Sequence, residues 1–544
     1  RVGNFIPFTD SGVIPNSVIF NSADSAKLER TPSSNGSGTT FTISFWYKPT
    51  KIATSYSLFD NAPGGSAANI FSIIVNSDNT ILIHGFDSGG SFSLNLATNR
   101  TFEDTSKFYH FLVAVDTTQG TSTNRVKFYV DGDQITSLSS TTYPGQNATY
   151  GTNQTSVKQA VGYYPHDGSR YADAYLAEFN LIDGSALTPS TFGLTDTSTG
   201  RWIPKALTGI TYGTNGFRLQ FGSSSALGDD TSGNNNDLSN TNLVASDQVT
   251  DSPTQNFATL TPNRMKSGFT LSEGNLKLVS NTTDGLCMSG MRVSGGKFYI
   301  ETEVDAFTNG GSQGIGFCEE TLSTSTDPSG TADVFGIFSN QTDFVVLRDG
   351  AYAQDNGGAL AAGDIVQIAF DGSDLGNAKF YLGINNSKWY YEDMSENSSF
   401  DATRPTLTLD LRARTNLRFY VGNRASTGSP GSSTYICNFG QKSYSYTAPT
   451  GFGSFNQDAL PETDKGVSGF VWAKSRDNTE SHTMYDSSRG PQKQISSNNN
   501  TAENTQTDGL QKFLKGGYSC EDHERINQSG ISYVGWNWVA NGAV

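Results

Sequence analysis

Between Gly363 and Tyr390 the chain reads GDIVQIAFDGSDLGNAKFYLGINNSKWY. Val366, Ile368 and Phe370 alternate with Gln367 and Ala369, and further on Phe380, Leu382 and Ile384 alternate with Lys379, Tyr381 and Gly383. A period of two places each apolar set on one face of a sheet. The DGSDLGN stretch between them is rich in Gly, Asp and Asn, residues that accept positive φ and reverse a chain. The pattern predicts a β-hairpin, with Trp389 following the polar turn Asn385–Asn386–Ser387.

The same alternation recurs along most of the chain. TFTISFWYK (Thr40–Lys48) puts Phe41, Ile43, Phe45 and Tyr47 on one face. Ser57–Asp60 reads as a short strand. Ile70–Val75 and Thr80–His84 flank a Ser77–Asp78–Asn79 turn, and Lys107–Val115 precedes Arg125–Val130 and the turn Asp131–Gly132–Asp133. Ala174–Pro189 predicts a strand, a turn and a short helical start at Thr188–Pro189. GKFYIETEV (Gly296–Val304) places Phe298, Ile300 and Val304 on one face and Lys297, Tyr299, Glu301 and Glu303 on the other. Gly469–Ser475 and Tyr533–Trp538 are aromatic strands, with Gly509–Gly517 between them read as a helical turn. No helical period of comparable length competes, so the fold class is all-β, a tandem of antiparallel sandwiches.

Punctuation divides the chain into a scattered apolar arm or edge strand over 1–14, a first sandwich over 15–207 and a connector over 208–263. The connector is polar and carries Pro253 and Pro262. A second sandwich covers 264–453, and a β-rich module covers 454–544. The 544 residues exceed what one core serves, at roughly 150 residues per domain. No internal repeat is evident.

Composition sharpens this reading. Hydrophobic residues make up 35%, charged residues only 16% and aromatics 12%, with 58 glycines. That is a balance of strands and long polar loops. The net charge of −16 speaks against nucleic acid and against an anionic membrane surface. No apolar run approaches the roughly 20 residues of a membrane span, so membrane insertion is not expected. Cys287, Cys318, Cys437 and Cys520 show no metal or framework spacing. Buried thiols are expected for the first three, with a Cys287–Cys318 or Cys318–Cys437 bridge left open. A chain that opens at Arg1 and stops at Ala543–Val544 soon after a strand leaves processing or continuation open at either end.

Three pieces in order, SFWYKPT, KFYVDGDQI and AEFNLIDGSALTP, resemble a laminin-G-like, concanavalin-A-like jelly roll over about residues 15–205. The central hairpin together with YICNFGQKSYSYTAPTGF (Tyr435–Phe452) resembles a SPRY domain, although its loops depart from animal SPRY domains. The AEFNLIDGSALTP closure, followed by RWIPKAL and LGDDTSGNNNDL, resembles a module of marine tailed-phage fibre and virion-surface proteins. The C-terminal unit resembles a module found beside such domains.

Candidate chemistry is sparse. Glycan cleavage needs two carboxylates at catalytic separation, and no E-x-D-x-x-E strand is present. Glu301, Glu303 and Asp305 alternate along one strand and are expected to be a solvated strand face. The Glu521–Asp522–His523–Glu524 cluster is expected to be a solvated loop. The histidines His84, His110, His166, His482 and His523 stand apart in sequence, so no Ser-His-Asp order can be singled out. Asp229, Asp230, Asn234 and Asp237 offer hard oxygen ligands around a glycine. They predict a polar turn, with calcium as the alternative; no other cofactor is implied.

One loop stands out. Tyr163, Tyr164, His166, Asp167, Arg170 and Tyr171 combine aromatic faces with polar groups, a mixture that binds sugars. Its alternative is tyrosines packed against a neighbouring domain. His84 with Asp87 is a second candidate. The resemblances imply a non-enzymatic virion-surface protein, a tail fibre or capsid decoration. It would adhere to host-surface glycan or receptor, contact other virion proteins and form a homo-oligomer, with a trimer favoured. A polysaccharide depolymerase and a purely structural component are the alternatives.

Overall fold

A computed structural model describes residues 12–63, 68–196, 199–281, 283–293, 295–308, 311–339, 344–349, 351–355, 359–393, 395–412, 414, 417–425, 431–460, 468–514 and 517–539. The protein is all-β, built of antiparallel sheets in tandem sandwiches. Most of the arm expected over 1–14 lies outside the described residues, as do Ala543 and Val544.

The first sandwich packs two eight-stranded sheets. One is centred on Thr40–Pro49, paired with Tyr109–Asp116 on one side and Ala174–Asp183 on the other. The other runs Leu138–Thr142, Phe92–Thr101, Thr80–Phe86, Phe71–Val75, Tyr56–Ala62, Lys158–Val161, Lys27–Arg30 and Ser239–Thr241. Alternation does the sorting here. Phe41, Ile43, Phe45 and Tyr47 point into the core and meet Phe59, Ile73 and Ile83 from the facing sheet. The short helical start predicted at Thr188–Pro189 is a single 3-10 turn, Pro189–Thr191.

Much of the segment expected as a connector belongs to this sandwich. Phe217–Leu219 pairs with Ala174–Asp183, Ser239–Thr241 with Lys27–Arg30, and Gln248–Val249 with Ser17–Phe20. Phe217, Leu219, Leu227, Leu238 and Leu243 enter the same core. Burial of these widely spaced apolar side chains draws a polar tract onto the sheet edges. Leu260–Met265 then pairs with Gly285–Val293 and opens the second sandwich.

The second sandwich packs a seven-stranded sheet on a ten-stranded one. Its central hairpin has the predicted register: Val366 faces Ile384, Ile368 faces Leu382 and Phe370 faces Phe380. Trp389 lies on the opposite face with Tyr299, Ala369 and Tyr381. That face is not solvated as expected, because the segment after Asn438 folds back over it. Glu301 is buried, accepting hydrogen bonds from the Tyr299 hydroxyl and from the backbone N–H groups of Ser445 and Tyr446 at 2.7–2.9 Å.

The C-terminal module is a three-stranded sheet, Thr483–Asp486, Ser468–Ser475 and Tyr533–Val539, with two small ribbons. The helical turn expected at Gly509–Gly517 is instead a hairpin of Leu510–Leu514 with Gly517–Cys520. Five residues are too few to offset helix nucleation, whereas strand pairing buries Leu510 against Val471 and Tyr485. The Glu521–Glu524 cluster is solvated only in part: Glu524 is exposed, but Glu521 and His523 are buried. All four cysteines are free thiols, with Cys287, Cys318 and Cys437 buried.

Candidate functional site

The outer face of the first sandwich's Leu138–Ser239 sheet carries the site. Cross-strand register lines up Asn95, His84, Ser72, Asp60, Ala160 and Glu29 in one row. Directly paired residues share a face. Their sequence neighbours Ile83, Ile73, Phe59, Val161 and Leu28 fill the core. The row therefore faces away from the core.

The predicted tyrosine loop roofs this row. Lys158–Val161 ends at Gly162, whose φ of +77° turns the chain; a Cβ there would lie 2.5 Å from Phe20. Tyr164 bridges back to Ser169, and the Arg170 carbonyl accepts the Ser57 N–H at 3.0 Å. Asp167 accepts from the Ser169 N–H and hydroxyl, which tightens the turn.

The structure thus joins the two separately predicted candidates. The His84 ring lies 6.5 Å from Tyr164, which in turn stands 5.9 Å from His166 and carries the Arg170 guanidinium 4.9 Å above its face. Phe86 and Phe92 extend the aromatic surface beyond His84, at 5.8 and 6.3 Å. Phe92 is 49% exposed. Tyr163 and Tyr171 pair with each other at 4.9 Å beside Lys27, which is ion-paired with Glu29 at the far end of the row. Tyr163 and Tyr164 are buried, against the sheet of their own sandwich rather than a neighbouring domain. Asp87 is committed to its own turn, accepting from the N–H groups of Gly89 and Ser91.

Burial dominates the electrostatics at the Asp60–His84 end of the row. Burial pushes the Asp60 carboxyl well above its usual range, partly opposed by the Ser72 hydroxyl donated to it and by the Arg170 charge. Burial and Arg170 together lower His84 to about 4, so its ring is neutral near pH 7. Burial, then the charge of Asp60, raises Tyr164 to about 12. Asp60 Oδ1, His84 Nε2 and His166 Nδ1 are buried without a hydrogen-bond partner among the described residues. Buried polar atoms are seldom left so, and here three gather under one loop. The Ser72 hydroxyl is spent on Asp60 rather than on His84, so the row does not have the relay order of a nucleophilic serine.

Asp60, Ser72, Phe86 and Phe92 escaped the sequence reading. The one available signal was a carboxylate inside the otherwise apolar strand YSLFDNA.

The calcium candidates fold into one loop in which Asp229, Asn234 and Asp237 are exposed and Asp230 is half-buried. Asp230 accepts from the N–H groups of Arg218, Ser232 and Asn236 and from the Ser232 hydroxyl, at 2.8–2.9 Å. Asp237 accepts from the Asp230 N–H, and the Asn234 amide donates to the Gly213 and Gly216 carbonyls. Among the described residues no three His, Cys, Asp or Glu side chains converge as metal ligands.

Residues 20–191 match the concanavalin A-like lectin/glucanases superfamily. Residues 460–544 match a domain of unknown function, DUF7483. No curated protein matches the chain. Among solved structures, a heptameric SAP-like pentraxin from Limulus polyphemus is 15% identical, with 32% of this chain and 79% of that one covered and a TM-score of 0.25. The SPRY domain of human HERC1 is 12% identical over 34% of this chain and 99% of that one, with a TM-score of 0.23. The CBM40 of a Ruminococcus gnavus IT-sialidase, bound to alpha2,3 sialyllactose, is 14% identical over 27% and 89%, with a TM-score of 0.21. Values this low carry neither a ligand nor an activity to this chain.

Proposed function

We propose that the chain is a non-enzymatic glycan-binding protein of a tailed-phage particle surface, a tail fibre or capsid decoration. Its first sandwich would hold the sugar on the outer sheet face. The observation that supports this reading is the convergence of Tyr164, His166 and Arg170 on the Asp60–Ser72–His84 row, flanked by the exposed ring of Phe92. Aromatic faces suit the C–H faces of sugar rings, and the adjoining polar groups suit hydroxyls. The phage setting rests on the AEFNLIDGSALTP–RWIPKAL resemblance.

A host-surface polysaccharide array tests the reading. The chain is expected to bind a subset of glycans without releasing reducing ends. Phe92→Ala and Arg170→Ala, both at exposed positions, are expected to weaken that binding about tenfold each, roughly 1.4 kcal/mol. Sustained release of new ends, or binding indifferent to both substitutions, rejects the proposal. The homotrimer expected of a fibre is read by light scattering of the full chain.

A further inference from the structure

A second site lies on the other sandwich. The outer face of its ten-stranded sheet carries a cavity of about 360 Å³. Its apolar lining is Leu276, Ile436 and Ile365, the two isoleucines lying on the strands that flank Glu303. The segment Ser443–Tyr446 forms one wall. Glu301 pins that wall from beneath through the Ser445 and Tyr446 N–H groups, so the cavity is a built feature of the fold.

Most charged groups around the cavity are committed. Glu301 accepts three hydrogen bonds, Glu273 takes one from Asn21, and Lys277 pairs with Asp305 at 3.3 Å. Two are not. Glu303 and Lys442 both line the cavity, both are half-buried, and neither makes an ion pair or side-chain hydrogen bond among the described residues. Each is thus half-buried without a direct polar partner among the described residues, Lys442 having only the more distant charge of Asp247. A bound molecule that meets both at once supplies those partners.

We propose that this cavity binds a small zwitterion, an ammonium and a carboxylate joined by a short apolar chain. Glu303 takes the ammonium, Lys442 takes the carboxylate, and the connecting methylenes lie on Leu276, Ile365 and Ile436. The volume falls within the range of small-molecule sites, roughly 300–1,000 Å³. A neutral sugar would leave both charges unanswered, and a monovalent ion would answer only one. The site is independent of the glycan face, which belongs to the first sandwich.

Calorimetric titration of the full chain tests this with three probes, ε-aminocaproate, caproate and hexylamine. The zwitterion is expected to bind about tenfold more tightly than either singly charged analogue, because each charge-assisted contact contributes on that scale. Comparing probes on the unaltered protein requires no variant to fold. Glu303→Gln should erase the advantage over caproate, and Lys442→Gln the advantage over hexylamine, while both variants retain glycan binding. Equal binding of all three probes, no binding up to about 50 mM, or a zwitterion affinity unchanged in both variants overturns the proposal.

Discussion

Lys48 and Asp251 form an ion pair at 2.8 Å in which both side chains are wholly buried. Lys48 extends from the central strand of the first sandwich, and Asp251 lies on the run that leads to the second. The ammonium also donates to Asn256 Oδ1 at 2.9 Å and to the Phe257 carbonyl at 3.1 Å, beneath the rings of Phe108 and Tyr175. Asp251 Oδ1 accepts the Phe257 N–H. Tyr175 donates to the Gly274 carbonyl and Thr105 to Thr261 across the same seam. The two sandwiches are thus joined by a hydrogen-bonded polar core rather than by a free linker.

Breaking a buried pair from one side leaves an uncompensated charge, which costs on the order of 3–5 kcal/mol. Lys48→Met is expected to lower the free energy of unfolding, read by urea titration, by that amount. The double variant Lys48→Met, Asp251→Leu should recover much of the loss, since two apolar groups leave no charge behind. A double variant no more stable than the single one would show that the pair's charge is not what costs.

Glu320 sets an acid-side dependence. Burial alone would raise its carboxyl, but Arg292 and Arg418 donate to it at 2.5–2.8 Å and hold it at about 2. A folded pKa below the unfolded value of roughly 4.3 contributes stability above that value and loses it as pH falls toward 2. Glu320→Gln should therefore flatten the fall in urea midpoint between pH 5 and pH 2. An unchanged slope would assign the acid sensitivity to other carboxylates.

Glu521 works in the opposite sense. Burial raises it to about 7; Arg100 opposes this, while Asp522, Asp508 and Asp133 reinforce it. The folded state then holds a proton that the unfolded chain has released, so stability falls as pH rises from roughly 4.3 to 7. Glu521 sits where the C-terminal module meets the first sandwich, beside the Lys512–Asp133 pair at 2.8 Å. Glu521→Gln is expected to gain on the parent as pH rises from 5 to 8, as followed by thermal melts. A difference constant with pH would mean the carboxyl titrates normally.

The hairpin at Ile365–Ile384 was legible because its apolar period and its Gly/Asp turn point to one register. The edge strands at Phe217–Leu219 and Ser239–Thr241 were not, because three residues carry no period and their partners lie tens to hundreds of positions away. Burial of Lys48, Glu301 and Glu521 was equally hidden, since each is covered by a distant segment. The candidate site was half visible. Its tyrosine loop shows in composition, but the alignment of Asp60, Ser72 and His84 depends on register across three strands that no local pattern states.

The thiols offer a check on how closed these cores are. Cys287, Cys318 and Cys437 are at most 1% exposed, and burial pushes each thiol up, Cys437 to about 12. Cys520 is half-buried and stands at about 11, again through burial, with Arg100 opposing. The thiolate is the reactive form, so both access and ionisation protect the first three. Ellman's reagent is expected to label only Cys520 in the native chain, slowly and faster with rising pH, and all four after denaturation in urea. Rapid labelling of two or more thiols without denaturant would mean that at least one sandwich opens far more readily than its packing implies.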